Sequence, residues 1–317
     1  MHHVLIAGKM HPAGLALMQG AQGFTFDYVE EMAEASYTPL IENADALVIR
    51  TQPLSATTLA KATRLRLVSR HGVGYDSVDL AALNQRRIPL CISGDTNSIS
   101  VAEHAMMLIL ACAKQVLRAD RAVRDGEWKW RDRLEATEIS GKRLLIVGFG
   151  RAGAKLAGMA RAFDLDVRAF DPYLAAQNWP AGPVSPVATL AEGLAWADIV
   201  SLNAPKAGKP LVGVEEFACL RPGAIIVNTA RGGVIDEAAL VAALREGRVA
   251  AAGLDVLDDE PPATNHPLLA FDSVILSPHI AGVTQQASER MAVASVQNVL
   301  DFFAGRLDPA LVVNRNF

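Results

Sequence analysis

The stretch from Lys142 to Asp171 constrains the fold of this chain more than any other segment. It begins with the apolar run Leu144–Val147, which predicts a short buried strand of a parallel sheet. A G-x-G-x-x-G pattern follows at the turn into a predicted helix, formed by Gly148, Gly150 and Gly153. The first glycine permits a tight turn, the second lets the backbone approach a pyrophosphate, and the third lets helix and strand pack closely. The amides and positive dipole at the start of that helix favour bound phosphate.

A second predicted strand, Asp166–Phe170, ends directly before Asp171. Asp171 lies 23 positions after Gly148, close to the spacing of about 20 expected of the acid that binds an adenosine ribose. Strand, glycine pattern, helix, strand and terminal acid together predict a dinucleotide site. The alternative is a glycine-rich turn in another kind of α/β protein.

Composition narrows the class of protein. With 317 residues, of which 51% are hydrophobic, the chain is long enough for two domains and too apolar for disorder. A net charge of −4 without a basic block gives no electrostatic support for nucleic-acid binding. Three widely separated cysteines predict neither a disulfide framework nor a metal site, and they suit a reducing cytoplasm. The sequence shows no secretory leader and no apolar run of membrane-spanning length, so we expect a soluble protein without a membrane partner.

Residues 1 to about 97 alternate short apolar strands with helical patterns, which predicts a parallel, doubly wound sheet. The predicted strands are Val4–Ala7, Phe24–Val29, Ala46–Arg50, Leu65–Ser69 and Pro89–Ile92. Ligands of such sheets bind beyond the carboxyl ends of the strands. Basic and polar residues follow strands one, three and four there, namely Lys9, His11, Arg50, Thr51 and the segment Arg70–Gly74. Together they predict a small anion pocket, whereas any one of them alone could be a solvated loop residue.

One long helix is predicted from Ser98 to Arg124 and interpreted as a hinge between two α/β units. Its apolar surface suits either a dimer interface or the core of a monomer. After Asp171 the alternation resumes, with strands at Ile199–Leu202, Ala224–Asn228, Ala250–Val256 and Val274–Ser277 and helices at Asp236–Glu246 and Gln285–Phe303. We expect this second sheet to carry the nucleotide and the last helix to return the chain to the first domain.

Three chemically capable side chains follow late strands of the second sheet: Arg231, Glu260 and His279. Strand-end placement predicts that they line the edge that carries the nucleotide. Arginine holds a carboxylate bidentately, and histidine exchanges a proton with an alcohol or carbonyl near neutral pH. These are the groups needed to oxidise a 2-hydroxy acid or reduce a 2-keto acid. Alone, each has an ordinary alternative as a helix-start residue, a loop charge or a pocket-wall histidine.

On these residues the chain resembles the D-isomer-specific 2-hydroxyacid dehydrogenases, in particular phosphoglycerate dehydrogenases without a regulatory domain. The matching segments cover most of the chain and are SRHGVGYDSVDL, SVAEHAMMLILA, VGFGRAG with Asp171, NTARGGVIDEAALVAALREGRVAAAGLDV, DEPP and SPHIAGVT. The resemblance implies an α/β fold of two doubly wound parallel-sheet domains. A Rossmann NAD-binding domain, residues 98–285, would be inserted into a flavodoxin-like substrate domain, residues 1–97 and 286–317. A homodimer is also implied.

The resemblance assigns roles to individual residues. Arg231 would hold the carboxylate and polarise the carbonyl, His279 would be the acid and base, and Glu260 would be its partner. The implied cofactor contacts are Gly148, Gly150, Arg151, Ala152, Gly153, Asp171, Asn203, Pro205, Thr229, Ala230, Asp255 and Gly282. The implied substrate contacts are Arg50, Thr51, His71, Gly72, Val73 and Gly74, with the amides of the last four receiving the substrate carboxylate.

The cofactor predicted is NAD rather than NADP. The Asp171 carboxylate would repel a 2′-phosphate while accepting bonds from free ribose hydroxyls, and no arginine follows it. Two departures from the family concern the adenine side only: Asn203 stands where the family often has histidine, and Lys206–Lys209 replace its usual threonine-containing turn.

The substrate prediction starts from the basic strand ends. Lys9, His11, Arg50 and Arg70 suggest an acid with a second anionic group, and 3-phosphoglycerate is the first candidate. A glyoxylate or hydroxypyruvate reductase is the alternative within the same chemistry. An NAD-sensing corepressor, which uses the fold as a protein-binding scaffold, is the alternative from another class. The complete set of Arg231, Glu260 and His279, and the small length expected outside the two domains, favour an enzyme.

Overall fold

The computed structural model describes residues 1–177 and 179–315, in which strands and helices alternate. The strands are β1 His2–Ala7, β2 Phe24–Val29, β3 Ala46–Ile49, β4 Leu67–Arg70, β5 Leu90–Cys91, β6 Arg143–Val147, β7 Asp166–Phe170, β8 Ser185–Pro186, β9 Ile199–Leu202, β10 Ala224–Asn228, β11 Val249–Leu254 and β12 Val274–Leu276. The α-helices are α1 Pro12–Gln19, α2 Glu34–Tyr37, α3 Ala56–Lys61, α4 Leu80–Gln85, α5 Ser98–Lys114, α6 Val116–Arg124, α7 Arg151–Ala162, α8 Pro172–Ala176, α9 Leu190–Trp196, α10 Val214–Cys219, α11 Glu237–Arg245 and α12 Gln285–Phe303. Short 3₁₀ turns cover Thr38–Asn43, Trp128–Arg133, Pro267–Ala270 and Pro309–Leu311.

The first of two compact units consists of Met1–Asn97 and the C-terminal segment from Val283. Its five strands pair in the order β2-β1-β3-β4-β5, and every pair is parallel. Alternate residues of β1 enter two separate cores, Leu5 on one face of the sheet and Val4 on the other. Helix α12 packs on the second face, where Val296 joins the core of Val4. This contact explains why the last helix belongs to the first unit.

The second unit, Ser98–Gly282, contains a seven-stranded sheet. Its order is β12-β11-β10-β9-β6-β7-β8, again with every pair parallel. The chain runs outward from β6 in one direction through β7 and β8, and in the other through β9 to β12. The order therefore reverses between β6 and β9, and the crevice at such a switch point is where nucleotides bind.

The prediction of two doubly wound parallel sheets is confirmed. The first sheet has the flavodoxin-like order and the second the Rossmann order. Strands β2, β7, β9 and β10 and helix α12 have the predicted bounds. Strands β9 and β10 are fully buried and largely apolar, and the side chain of Thr284 caps the start of α12. The two-residue strand β8 was not predicted, since an exposed edge pair that contains a proline carries no strand pattern.

The prediction of one helix from Ser98 to Arg124 is wrong. Gln115 adopts a left-handed conformation with φ 54°, so α5 ends at Lys114 and α6 begins at Val116, with a bend of 56°. Helix α5 is buried along one face, whereas only Ala122 of α6 is buried. No glycine or proline marks the break in the sequence. Within the described residues, no single helix has both the length and the apolarity to cross a membrane, and only this bent pair reaches them jointly.

Candidate active site

The three predicted catalytic side chains follow three neighbouring strands of the second unit. Arg231 lies in the loop after β10, Glu260 in the loop after β11, and His279 after β12. Because β10, β11 and β12 are adjacent and parallel, their carboxyl ends lie at the same edge of the sheet. Topology alone therefore brings the three loops together.

His279 and Glu260 form a direct pair. The Nδ1 atom of His279 lies 2.7 Å from Oε2 of Glu260, and both side chains are partly exposed, 49% and 38%. The second carboxylate oxygen, Oε1, accepts from the amide of Leu257 at 3.2 Å, so the backbone orients the carboxylate. An ionised carboxylate only accepts, so Nδ1 carries the proton in this pair. Nε2 of His279 is then the ring atom that can exchange a proton with a reacting oxygen.

Asp255 holds the segment that carries His279. Its side chain is 1% exposed and accepts from the amides of Ile280, at 2.9 Å, and Ala281, at 2.8 Å. Its main-chain oxygen accepts from the amide of His279 at 2.8 Å. His279 itself has φ 53°, a conformation that costs energy in a residue with a side chain. The predicted cofactor contact Asp255 is thus also the anchor of this strained segment.

Two polar residues of this network were missed by the sequence reasoning, His104 on α5 and Ser277 after β12. Nε2 of His104 lies 2.8 Å from Oγ of Ser277, and Ser277 donates to Oδ1 of Asp255 at 2.5 Å. A single histidine on an apolar helix has the pattern of an ordinary core residue. No sequence signal connects it to a serine 173 positions away.

The loop of Arg231 is bonded to the loop that leads to Glu260. Gly233 donates its amide to the side chain of Asp258 at 2.5 Å. A Cβ atom on Gly232 would lie 1.9 Å from the carbonyl oxygen of Leu257, so only glycine permits this approach. Asn228 braces the same loop, because its side chain donates to the carbonyl of Arg231 at 2.9 Å and accepts from the amide of Ala230 at 3.0 Å. Nη1 of Arg231 donates to the carbonyl of Ala230 at 2.7 Å.

The glycine pattern forms the turn that the sequence predicts. Gly148 has φ 91°, and a Cβ atom on Gly153 would lie 2.4 Å from the carbonyl oxygen of Gly148. Gly150 is the N-cap of α7 and provides no side-chain cap, so amides in the first turn at Arg151 and Ala152 remain for an anion. The residues beyond β6 therefore suit a pyrophosphate.

Asp171 directly follows β7, beside this turn. Its Oδ2 accepts from the amide of Phe149 at 2.9 Å, and its Oδ1 accepts from the amides of Tyr173 and Leu174 at 3.0 and 3.1 Å. These bonds fix the carboxylate next to the glycine turn and cap α8.

The remaining predicted cofactor residues lie along the same edge of the second sheet, in the loops after β9, β10 and β12; they are Asn203, Pro205, Thr229, Ala230 and Gly282. Among the described residues, neither Oδ1 of Asn203 nor Oγ1 of Thr229 has a hydrogen-bond partner, although both atoms are buried. Leaving buried polar atoms unsatisfied is costly, so both suit a polar ligand. With the glycine turn and Asp171, these residues fit a dinucleotide. The described part of the chain contains no cluster of three metal-ligating side chains.

The predicted substrate residues lie in the first unit. Arg50 and Thr51 follow β3, and the segment from His71 to Gly74 follows β4, with the Gly72 amide bonded to Oγ of Ser93 at 3.0 Å. His71 is 6% exposed. Burial and the nearby Arg50 and Arg70 lower the pKa of His71 to about 4, so its ring is neutral at pH 7.

Not every member of the predicted anion pocket points to a ligand. Nη1 of Arg70 donates to the carbonyls of Ile49 and His71, at 3.3 and 2.7 Å, and the arginine is buried. Nδ1 of His11 accepts from the amide of Ala13 at 3.2 Å as the N-cap of α1. Lys9 is exposed and Arg50 half-buried, so these two cations have the access that an anion requires.

Comparison with known proteins shows which proteins this chain is similar to. Residues 106–281 match the family described as "D-isomer specific 2-hydroxyacid dehydrogenase, NAD binding domain". D-3-phosphoglycerate dehydrogenase of Archaeoglobus fulgidus is 36% identical over 95% of this chain, and the chain spans only 57% of that protein's length. Glyoxylate reductase of Aeropyrum pernix is 33% identical over 98% of this chain and 95% of its own length. The crystal structure of D-lactate dehydrogenase from Aquifex aeolicus, with NAD and lactic acid, is similar at a TM-score of 0.84 and 26% identity, over 99% of this chain and all of that one.

Proposed function

The chain belongs to the D-isomer-specific 2-hydroxyacid dehydrogenase family, and from that premise we propose that it is an NAD-dependent enzyme which interconverts a D-2-hydroxy acid and its 2-keto acid. The observation that carries the proposal is the pair of Nδ1 of His279 and Oε2 of Glu260, 2.7 Å apart, at the sheet edge that also carries the dinucleotide crevice. Both groups belong to the second unit, which supports proton exchange next to a bound nucleotide.

The chain's own residues divide the chemistry as follows. In the oxidation direction, Nε2 of His279 takes the proton of the C2 hydroxyl while Glu260 holds the ring through Nδ1. NAD, when bound, supplies the acceptor for the hydride that leaves C2. Arg231 binds the carboxylate and stabilises the developing carbonyl, since a guanidinium offers two parallel donors to planar oxygens. Reduction runs the same transfers in reverse.

The proposed cofactor is NAD in preference to NADP. Asp171 presents a carboxylate already bonded to three amides beside the glycine turn. A 2′-phosphate at this position would meet like charge, whereas ribose hydroxyls would donate to the carboxylate oxygens.

We propose an acid with a second anionic group as substrate, and 3-phosphoglycerate as its best representative. Arg50 and Lys9 support this proposal: Nη1 of Arg50 lies 3.4 Å from the carbonyl oxygen of Lys9, so two accessible cationic residues share one strand-end region. The phosphoglycerate dehydrogenases among the relatives agree with it.

A specific observation favours a second candidate, reduction of glyoxylate or hydroxypyruvate. Arg70 directs Nη1 to backbone carbonyls, and His71 is neutral, so the basic cluster is smaller than the sequence suggests. Glyoxylate reductases are also among the relatives, one of them 33% identical over 98% of this chain.

A matched pair of keto acids separates the candidates. Phosphohydroxypyruvate and hydroxypyruvate differ only in the distal phosphate, and glyoxylate lacks the distal carbon. We expect kcat/KM with NADH to be at least about tenfold higher for the phosphorylated acid, and Arg50→Gln to remove that advantage, since a charge-assisted contact contributes about 1.5–3 kcal/mol. Higher kcat/KM for hydroxypyruvate or glyoxylate would select the reductase instead. Turnover of none of the three would contradict the enzyme proposal for these acids.

We also propose that two copies of the chain associate through the second unit. An apolar cavity of about 480 Å³ lies between α5 and α7, lined among others by Met107, Leu110, Met159 and Phe163. Exposed apolar side chains continue onto α6 at Leu117. A large exposed apolar patch of this kind marks an association surface, and the homodimers of the family make a second copy its occupant.

A further inference from the structure

His104 connects a helix core to the segment of His279. It lies on α5, its side chain is 14% exposed, and its Nε2 is 2.8 Å from Oγ of Ser277 and 3.5 Å from Oδ1 of Asp255. None of the proposed chemical steps uses it. Its partners are nevertheless the residues that shape the loop after β12.

The direction of the hydrogen bonds follows from proton counting. The hydroxyl of Ser277 has one proton, and Oδ1 of Asp255, at 2.5 Å, can only accept it. Oγ of Ser277 must therefore accept from His104, which means that Nε2 of His104 carries a proton. The result is a chain of donors that runs from His104 through Ser277 to the buried carboxylate of Asp255.

The hydrogen bonds of Asp255 connect this chain of donors to the segment that carries His279. Asp255 is 1% exposed, so hydrogen-bond donors rather than water must stabilise its negative charge. The donors in the structure are Ser277, Ile280 and Ala281. The two amides belong to the residues directly after His279, whose φ of 53° must be held by its surroundings. A rotation of Asp255 would break the two amide bonds that hold the residues after His279.

Close packing of α5 on the sheet makes the contact geometrically feasible. A Cβ atom on Gly253 of β11 would lie 2.8 Å from Cβ of Leu108, so the helix approaches the strand at a glycine. His104 lies one turn before Leu108 on the same face of α5. From there its ring extends to the residues after β11 and β12.

We propose that His104 is a positioning residue for the reaction: by donating to Ser277 it orients Asp255 and thereby holds His279 in the geometry of proton transfer. The proposal rests on the proposed function for its kinetic consequence. Its structural consequence, the order of the segment Ser277–Ala281, is independent of catalysis.

The test uses the full-length protein and variants that differ in one bond. His104→Leu removes the donor, His104→Gln replaces it with an amide that reaches the position of Nε2, and Ser277→Ala breaks the next link. Cys112→Ala is the matched control, since it also removes a buried side chain from α5, at a residue 2% exposed, without a side-chain bond to the segment. kcat, KM and amide exchange at Ile280 and Ala281 are measured for each.

We expect kcat of His104→Leu to fall by about 10- to 100-fold with KM for the acid nearly unchanged, because misplacement of the proton-exchanging ring by about 1 Å has this effect on rate. His104→Gln should stay within about threefold of the parent. The double variant His104→Leu/Ser277→Ala should be no slower than the slower single variant, as expected of residues that act through one chain. Exchange at Ile280 and Ala281 should accelerate by about tenfold or more in His104→Leu and not in Cys112→Ala.

Several results would overturn the proposal: unchanged exchange at Ile280 and Ala281, an equal loss of kcat in the Leu and Gln variants, or an equal loss in Cys112→Ala. A parent protein inactive on every acid contradicts the proposed function instead. The exchange comparison, made without any acid, then still decides whether His104 holds the segment.

Discussion

The proposed function assigns proton transfer to the imidazole of His279. Replacing it by alanine should lower kcat by about 10²- to 10⁴-fold, the usual contribution of a positioned acid and base. Glu260→Gln should be less severe, since an amide oxygen still accepts from Nδ1. Binding of NAD, followed by fluorescence titration, should change little in either variant. Unaltered NAD-linked turnover in His279→Ala would contradict the role of His279 as the acid and base.

At Asp171, one substitution can remove the negative charge while keeping the size of the side chain. Asp171→Asn retains an oxygen for the amides of Tyr173 and Leu174, so α8 keeps its cap, while the negative charge and the bond from the amide of Phe149 are lost. We expect the ratio of kcat/KM for NAD to that for NADP to fall by about tenfold or more, in accord with the role of this acid at ribose. Steady-state kinetics with both cofactors measure the ratio. A ratio unmoved by the substitution would show that another residue selects the cofactor.

His71 couples stability to pH. Its pKa is lowered to about 4 in the folded chain, below the ordinary value of 6.5, so between these values the unfolded chain binds a proton that the folded chain does not. Stability is therefore lost as pH falls from about 6.5 towards 4. From pH 7 to pH 5 this one residue should lower the free energy of unfolding by about 2 kcal/mol. Urea denaturation of the parent and of His71→Asn at both pH values measures the difference, which would be absent if the ring is protonated in the folded state.

The residues of the candidate site differ in how well they can be predicted from the sequence. Asp171 follows from its distance to a glycine pattern, and Arg231, Glu260 and His279 from strand ends. His104 could not be inferred, because its role depends on a contact with Ser277, 173 positions away, and on close packing at Gly253. The bonds of Arg70 to the carbonyls of Ile49 and His71 could not be predicted either, since the sequence does not show in which direction a basic side chain at a strand end points.

Among the elements, the start of a helix can be predicted from the sequence where a side chain caps it. The side chain of Asp236 accepts from the amide of Ala239 and begins α11, and Thr284 accepts from the amide of Ala287 and begins α12. The break at Gln115 has no such signal. It follows from tertiary packing, because α5 continues into the core while α6 is largely exposed.

Helix α4 ends in a conformation that its sequence does not suit. Arg87 has φ 54° and donates its amide to the carbonyl of Asn84, while the next amide, that of Ile88, bonds to Leu83. Glycine is the usual residue at this position, so Arg87→Gly should raise the free energy of unfolding by about 0.5–1 kcal/mol. The control Gln85→Gly, at the last residue of the helix, should lower it instead, by up to about 1 kcal/mol. Thermal or urea denaturation distinguishes the two, and a loss in both would contradict the argument from φ.

For the whole molecule, association can be tested on two methionines of equal exposure. Met107, 44% exposed, borders the apolar cavity between α5 and α7, whereas Met32, 45% exposed, lies in the first unit. Sedimentation of the parent should give twice the chain mass of 33.8 kDa. Met107→Asp should give the single mass, since a charge in an apolar contact is costly, and Met32→Asp should leave the parent value. A parent of single mass would refute the dimer.

For the molecule as a whole, the two parallel sheets were the feature that could best be predicted from the sequence. Alternation of short apolar runs with helical segments implies parallel strands and right-handed crossovers, which leave few possible orders. Individual boundaries were less certain, since an edge pair such as β8 has no burial and a helix break such as Gln115 has no breaker residue. The polar contacts that orient the site depend on side-chain directions, which periodicity does not report.

The return of α12 to the first sheet has a consequence for the order of events on the ribosome. One face of that sheet, with Val4 and Ile6, is covered by Ala292, Val296 and Val299 of α12. The N-terminal strands are therefore synthesised long before the helix that covers them, while Ser98–Gly282 is contiguous and has its own core. Although domains generally fold from the N-terminus during synthesis, here the middle of the chain can complete its core first. The strands of the first sheet emerge before Ser98–Gly282, yet one face of that sheet stays in contact with water until α12 has been made.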